Sequence, residues 1–354
     1  MKKNIIKAFT FIAVLCICLM LIFRGLWLWD DGYSRQVFKA FYDLPDNSVD
    51  VVYIGSSAAR EFYNASAGYF KEGIACYPLA TSNQPVAAAE YLIRESLKSQ
   101  SPQLFLIELR AVINKNIFDA DIRKTTDSMH FSRNRLRLID ALLDQRVAAF
   151  PEEKPNKWDY YFSYSTYHSR WEDLTADDFP QGQVVFGHPY CTDIDPYSES
   201  DNSYCTDTLP VDPYIEDVLQ DLFDYCRTLP QEVVFVCSPA ILEEDQQRQI
   251  MYAGQLAEQA GFRFWNMNTP ETVHQIGLDY ALDFQNPAHV NSYGALKVTS
   301  YMAKELHDEY QIPDRRGGAQ YSVWIDAYME YLTHLVDITD SEPQTVFLQQ
   351  FLNS

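Results

Sequence analysis

Short β-branched and aromatic runs that alternate with helical patterns constrain this chain more than any other feature. "VDVVYIG" (49–55), "GIACYPLA" (73–80), "QLFLIEL" (103–109), "EVVFVCSPA" (232–240) and "FRFWNM" (262–267) each read as a strand. Helical stretches lie among them: "PVAAAEYLIRESLKS" (85–99), a segment over 241–259, and a closing helix over 292–310. In the last of these, Leu296, Thr299, Ala303 and Leu306 recur at helical spacing. Apolar strands separated by helices predict right-handed βαβ units and a mostly parallel sheet covered on both faces. The expected fold is a three-layer α/β/α domain.

Residues 111–230 interrupt this alternation and read as a helical insertion over one end of the sheet. The insertion holds a helix at 133–148 with Leu138, Ile139, Leu142, Leu143 and Val147 on one face, then the aromatic stretch "WDYYFSYSTYHSRW", and later a helix over 213–228. After "IPDRRGG", residues 313–354 read as an appendage ending in a weakly held tail, which leaves 30–312 as the main domain.

The N-terminus speaks to compartment. Residues 8–23, "AFTFIAVLCICLMLIF", contain no charge, and "GLWLW" prolongs the apolar stretch past Arg24. That is about the length needed to cross the hydrocarbon core of a bilayer. Lys2, Lys3 and Lys7 precede the run, so the positive-inside rule places the N-terminus in the cytoplasm and the rest of the chain outside. Trp27 and Trp29 suit the far interface, where Arg24 can snorkel. A cleaved signal peptide competes with this reading, but no small-x-small site follows the run. Residues 1–29 are therefore expected to be a cytoplasmic stub and a single-pass transmembrane anchor.

Charge narrows the partners. The chain carries a formal −21, and the first 29 residues contribute basic groups only, so the remainder is more acidic still. A phosphate backbone needs a basic footprint, so no nucleic-acid partner is expected. Five cysteines follow the apolar run. Cys191 and Cys205 flank the polar loop "TDIDPYSESDNSY", which a disulfide would close for about 3 kcal/mol. No spacing resembles a zinc site.

Ligands of open α/β sheets sit beyond the carboxyl ends of the strands. Gly55-Ser56-Ser57 lies there, after the first strand. A serine at such a turn either caps the next helix or exposes a nucleophilic hydroxyl to a base. Far along the chain, "DYALDFQNPAHVNSYGALKVTSYM" places Asp283, Asn286 and His289 in the loop before the closing helix. A histidine there can serve as base if an acceptor orients it.

Gly-Ser-Ser after strand one, "YPLATSNQP" after strand two and "NPAHVNSYGA" before the last helix together resemble the SGNH (GDSL-like) hydrolase superfamily. The resemblance is to its membrane-anchored bacterial envelope branch, which holds the D-alanyl-lipoteichoic acid transfer proteins and alginate-type O-acetyltransferases. It covers about 49–310 and implies a flavodoxin-like fold, serine ester chemistry, and neither cofactor nor metal. By position Ser57 matches the nucleophile and His289 the base. The Ser57 amide and the turn holding Ser82 and Asn83 would form the oxyanion hole, with Asn83 where the family usually has glycine. Where the family has an acid three residues before the histidine, this chain has Asn286; Asp283 is the carboxylate that could stand in. Glu108 and Arg110 occupy the region after strand three, Glu108 being expected as a salt-bridged strand end. His168, Arg170 and Trp171 could cover the site, the indole stacking on a sugar ring, or simply pack in the core.

The resulting expectation is an anchored, extracytoplasmic serine esterase or O-acyltransferase. Its partners would be a cell-envelope glycan or glycopolymer and a membrane-bound O-acyltransferase. The other reading is a non-catalytic envelope-binding or assembly protein whose triad decayed at Asn286.

Overall fold

A computed structural model describes residues 2–25, 33–172 and 186–353. Strands β1 (Val51–Gly55), β2 (Cys76–Ala80), β3 (Leu104–Glu108), β4 (Glu232–Cys237) and β5 (Arg263–Asn266) form one sheet in the order β2-β1-β3-β4-β5. Every neighbouring pair is parallel. Successive side chains of a strand point to opposite faces, and both faces are covered. Val52, Ile54, Phe105, Ile107 and Phe235 enter one core with Leu92, Leu138, Leu219 and Ile250 from flanking helices. Val51, Tyr53, Leu106 and Val234 enter a second core with Val298, Met302 and Leu306 of the closing helix, Ser292–Asp308. The chain is a mixed α/β protein built on this parallel sheet. A small antiparallel pair, β6 (Phe284–Asn286) with β7 (His289–Val290), precedes the closing helix.

Strand order places the site. The chain winds from β1 to β2 on one side and to β3 on the other, so a crevice opens beyond the carboxyl ends of β1 and β3.

Four expectations are revised. The end of the appendage, as far as residue 353, is not a weakly held tail. Helix Ser322–Ile338 sends Trp324, Tyr328, Tyr331 and Leu335 into the first core, and Leu348 and Phe351 of helix Glu342–Asn353 join them. Trp324 is completely buried beside Tyr77 and Phe186, and burial of a large apolar side chain is worth about 1.5–3 kcal/mol.

The second concerns the cysteines. Cys191 and Cys205 are both free thiols. The segment between them does not close on itself but runs across the sheet end as a strap. Ser292 donates its N–H to the Cys191 carbonyl, Tyr197 N–H bonds to Tyr280, and Ser203 N–H bonds to Leu242. The two ends are thereby tied to different elements.

The third is the aromatic stretch at 158–171. It packs beside helix Arg133–Ala149, where Tyr167 donates to Asp127, which also pairs with Arg135. Within the insertion, residues 173–185 lie outside the described residues. The fourth, Glu108, belongs to the site and is taken up there.

At the other end of the chain, helix Lys2–Gly25 exposes Ile6, Phe9, Phe11, Ile12 and Val14, and none of its described side chains enters either core. Among the described residues no helix is long and apolar enough to cross a membrane. In this helix side chains are described over residues 3–19, whereas the apolar run continues to residue 23, and Trp27 and Trp29 lie outside the described residues.

Candidate active site

The turn after β1 is fixed by short-range bonds. Ser56 is the N-cap of helix Ser57–Arg60, its hydroxyl accepting the Ala58 N–H at 3.3 Å. Both serines border the crevice, but the Ser56 hydroxyl is buried and spent on the cap, while Ser57, at the first helical position, faces the histidine. Gly55 is required by close approach: a Cβ there would lie 2.5 Å from the Glu108 Cβ.

The histidine comes from the hairpin loop. Ser57 Oγ lies 2.7 Å from His289 Nε2, and Asn286 Oδ1 lies 3.1 Å from Nδ1. The same Oδ1 accepts the Ala288 N–H at 3.0 Å, so the atom facing the ring is an acceptor and Nδ1 must carry the proton. Nε2 is then left with its lone pair toward the Ser57 hydroxyl, the tautomer a general base requires. Burial holds the His289 pKa below its ordinary value; Glu61 opposes this, while Arg110 and Arg60 add to it.

Asp283 is not brought to the ring. Its carboxylate accepts from Lys297 Nζ and from the Asp279 N–H, both at 2.6 Å, and it is buried against the closing helix. The carboxylate that does face the ring is Glu61, with Oε2 3.7 Å from Nδ1. Glu61 follows Ser57 by four residues, one helical turn along the same face. That spacing was legible in "SSAARE", but nothing in the string says that the histidine would arrive on that side.

Glu108 and Arg110 support the site from below. Fully buried, Glu108 accepts the Tyr53 hydroxyl at 2.7 Å, the Arg110 N–H at 3.1 Å and the Ser238 N–H at 3.1 Å. Burial pushes its pKa up and the nearby Arg110 charge pulls against that. The Arg110 guanidinium does not clasp this carboxylate; it donates to Ser238 Oγ at 3.1 Å and to the Ala288 carbonyl at 2.5 Å. Glu108 is thus a hydrogen-bonded buried carboxylate rather than a salt-bridged strand end, and Arg110 ties the histidine loop to the sheet.

A cavity of about 570 Å³ opens over this pair, lined among others by Ser57, Asn83, Arg110, Asp121, Glu243 and His289. Asn83 is in the left-handed region at φ 52°, a conformation asparagine tolerates better than most residues. Neither the Ser57 nor the Asn83 backbone N–H has a hydrogen-bond partner among the described residues. Ser82 does not line the cavity, and neither do His168, Arg170 or Trp171. The latter three follow the short helix Tyr164–Tyr167, which is held to the insertion, and Trp171 is exposed. Among the described residues no group of three or more His, Cys, Asp or Glu side chains could hold a metal ion.

No protein-family model and no curated protein matches this chain.

Proposed function

We propose that the chain is a serine esterase or O-acyltransferase of the SGNH type, carried on a membrane anchor and acting outside the cytoplasm on acyl groups of an envelope glycopolymer. The observation that carries this reading is the 2.7 Å approach of Ser57 Oγ to a His289 Nε2 whose tautomer Asn286 fixes. The sheet order β2-β1-β3-β4-β5 is that of flavodoxin-like folds, and Ser57 stands at the matching crevice. The anchor is supported by the charge-free run of residues 8–23 and by the exposed apolar side chains of the first helix.

In this mechanism Ser57 Oγ attacks the acyl carbonyl carbon while its proton passes to His289 Nε2. The Ser57 and Asn83 N–H groups receive the oxyanion. Collapse of the tetrahedral species breaks the bond to the leaving alcohol, which takes the proton from His289 and leaves an acyl-serine. Water or a sugar hydroxyl then attacks this ester, giving its proton to His289, and Ser57 is regenerated. Asp121, Asp201 and Glu243 at the cavity favour neutral or cationic acyl esters over anionic ones.

A second reading, a glycan-binding or assembly protein, is favoured by one observation: Asn286 supplies a neutral amide where a carboxylate would support the imidazolium. A fluorophosphonate probe separates the two. The esterase reading expects one label on Ser57 that Ser57→Ala abolishes while the melting temperature moves by only a few degrees. Absence of labelling, together with no turnover over a range of acyl esters, refutes it.

A further inference from the structure

We propose that Glu61 is the carboxylate that supports the charged form of His289, so that orientation and charge stabilisation are divided between Asn286 and Glu61. This rests on the reading of Ser57 and His289 as the reacting pair and deepens it. Glu61 acts through the histidine and is a positioning residue.

The geometry assigns each carboxylate oxygen. Glu61 Oε1 accepts from Arg60 Nη2 at 3.0 Å, and Oε2 accepts from Gln285 Nε2 at 3.0 Å. Gln285 also donates to the Val290 carbonyl at 2.8 Å, spanning the hairpin that carries His289. Oε2 is therefore pinned to the histidine loop and held 3.7 Å from Nδ1. That distance suits an ion pair, while the Nδ1 proton itself goes to Asn286 at 3.1 Å. The Glu61 side chain is 12% exposed and that of His289 23%, so water screens the pair incompletely. When Ser57 gives up its proton, the positive charge appears on a ring already facing this carboxylate. An orienting amide alone does not supply that charge; here the residue one helical turn from the nucleophile does.

The charged groups that act on the ring are Glu61 and Arg60 from the nucleophile's own helix and Arg110 from the segment after β3. Burial and the two arginines favour the neutral imidazole; Glu61 favours the imidazolium. Glu61→Gln keeps the shape and can keep the Gln285 contact while removing the charge. The midpoint of His289 should then fall by about one unit or more, the usual effect of losing an opposite charge at this range. Because the base is weakened, the Ser57 acylation rate should fall about tenfold or more.

The test is an NMR titration of ring-labelled histidine in the full-length chain in detergent, with His289 assigned through His289→Gln. Alongside it the rate of fluorophosphonate labelling is followed against pH. A lower His289 midpoint in Glu61→Gln, an unchanged midpoint in Glu61→Asp, and recovery of the labelling rate in Glu61→Gln with Asn286→Asp support the assignment. A midpoint that stays in place in folded Glu61→Gln overturns it, even if activity falls, because a purely structural role lowers the rate without moving the titration. If Glu61→Gln does not fold, a Glu61→Asp midpoint displaced downward as far as the loss of a charge requires overturns it instead. The titration does not depend on turnover. Failure of wild-type Ser57 to label refutes the esterase reading, and a midpoint that still falls identifies Glu61 as the ring's charge partner.

Discussion

The two segments that meet at the candidate site are held in opposite ways. The turn carrying Ser57 is nearly self-sufficient: β1 leads into it, Ser56 caps it, and its helix is one turn long. The loop carrying His289 is held from outside. Arg110 binds the Ala288 carbonyl, the Ile241 N–H binds the Pro287 carbonyl, and Gln285 reaches Glu61. Asn291 donates to the carbonyls of Leu282 and Asp193, the second lying in the strap. A nucleophile can be placed by local backbone chemistry, whereas the orientation of its base is a property of the assembled domain.

That contrast can be broken most sharply at Arg110. Arg110→Ala removes the support of the histidine loop and leaves buried Glu108 without its nearby cation. Ester turnover should drop about 100-fold, as for a mispositioned catalytic group, and denaturant unfolding should show a loss of about 3 kcal/mol. A variant with unchanged turnover would show that the loop holds its own shape.

His188 tests the other side of the comparison, since its Nδ1 donates to the Arg60 carbonyl at 2.9 Å and is a long-range tie on the end of the nucleophile helix. Burial lowers its pKa to about 4. A depressed histidine is protonated in the unfolded chain first, so its stabilisation is present above pH 6.5 and lost as pH falls toward 4. The expected loss is about 3 kcal/mol over that window, read from urea midpoints, and His188→Gln should flatten it.

Asp283→Asn should separate support from chemistry. It breaks a 2.6 Å pair with Lys297 that is mostly buried, costing about 2 kcal/mol, while turnover stays within a few-fold because the carboxylate does not reach His289. A loss of several orders of magnitude would restore Asp283 to the triad. The smallest effect belongs to Asn286→Asp. With Glu61 already facing the ring, a second carboxylate should raise turnover only several-fold in steady-state assays, far less than the ~10⁴ that separates Asp from Asn in a lone triad.

Each site assignment fared according to the range of the interaction behind it. Ser57 was legible because a β-branched run, a close-packed glycine and an N-cap lie within seven residues of one another in sequence, and short-range forces fix them together. Asn286 against Asp283 was open, since a loop of either three or six residues can reach a histidine. The hairpin bend and the pull of Lys297 decided it. Glu61 carries no such local signal, because its role depends on which side His289 approaches from. His168, Arg170 and Trp171 carry suitable chemistry but do not line the cavity, and His168 and Trp171 are exposed.

By itself the sequence determined the five strands of the main sheet, their parallel arrangement and the placement of a serine at a strand end, though not the small β6–β7 pair, because alternation, capping and steric fit act between near neighbours. Tertiary structure decided the rest: that Trp324 and the final helices complete the core, that Cys191 and Ser203 tie the strap to different elements, and that Glu61 faces the imidazole. Those outcomes depend on where distant segments dock, and docking is settled by total burial and hydrogen-bond satisfaction over the whole domain, which no local pattern encodes.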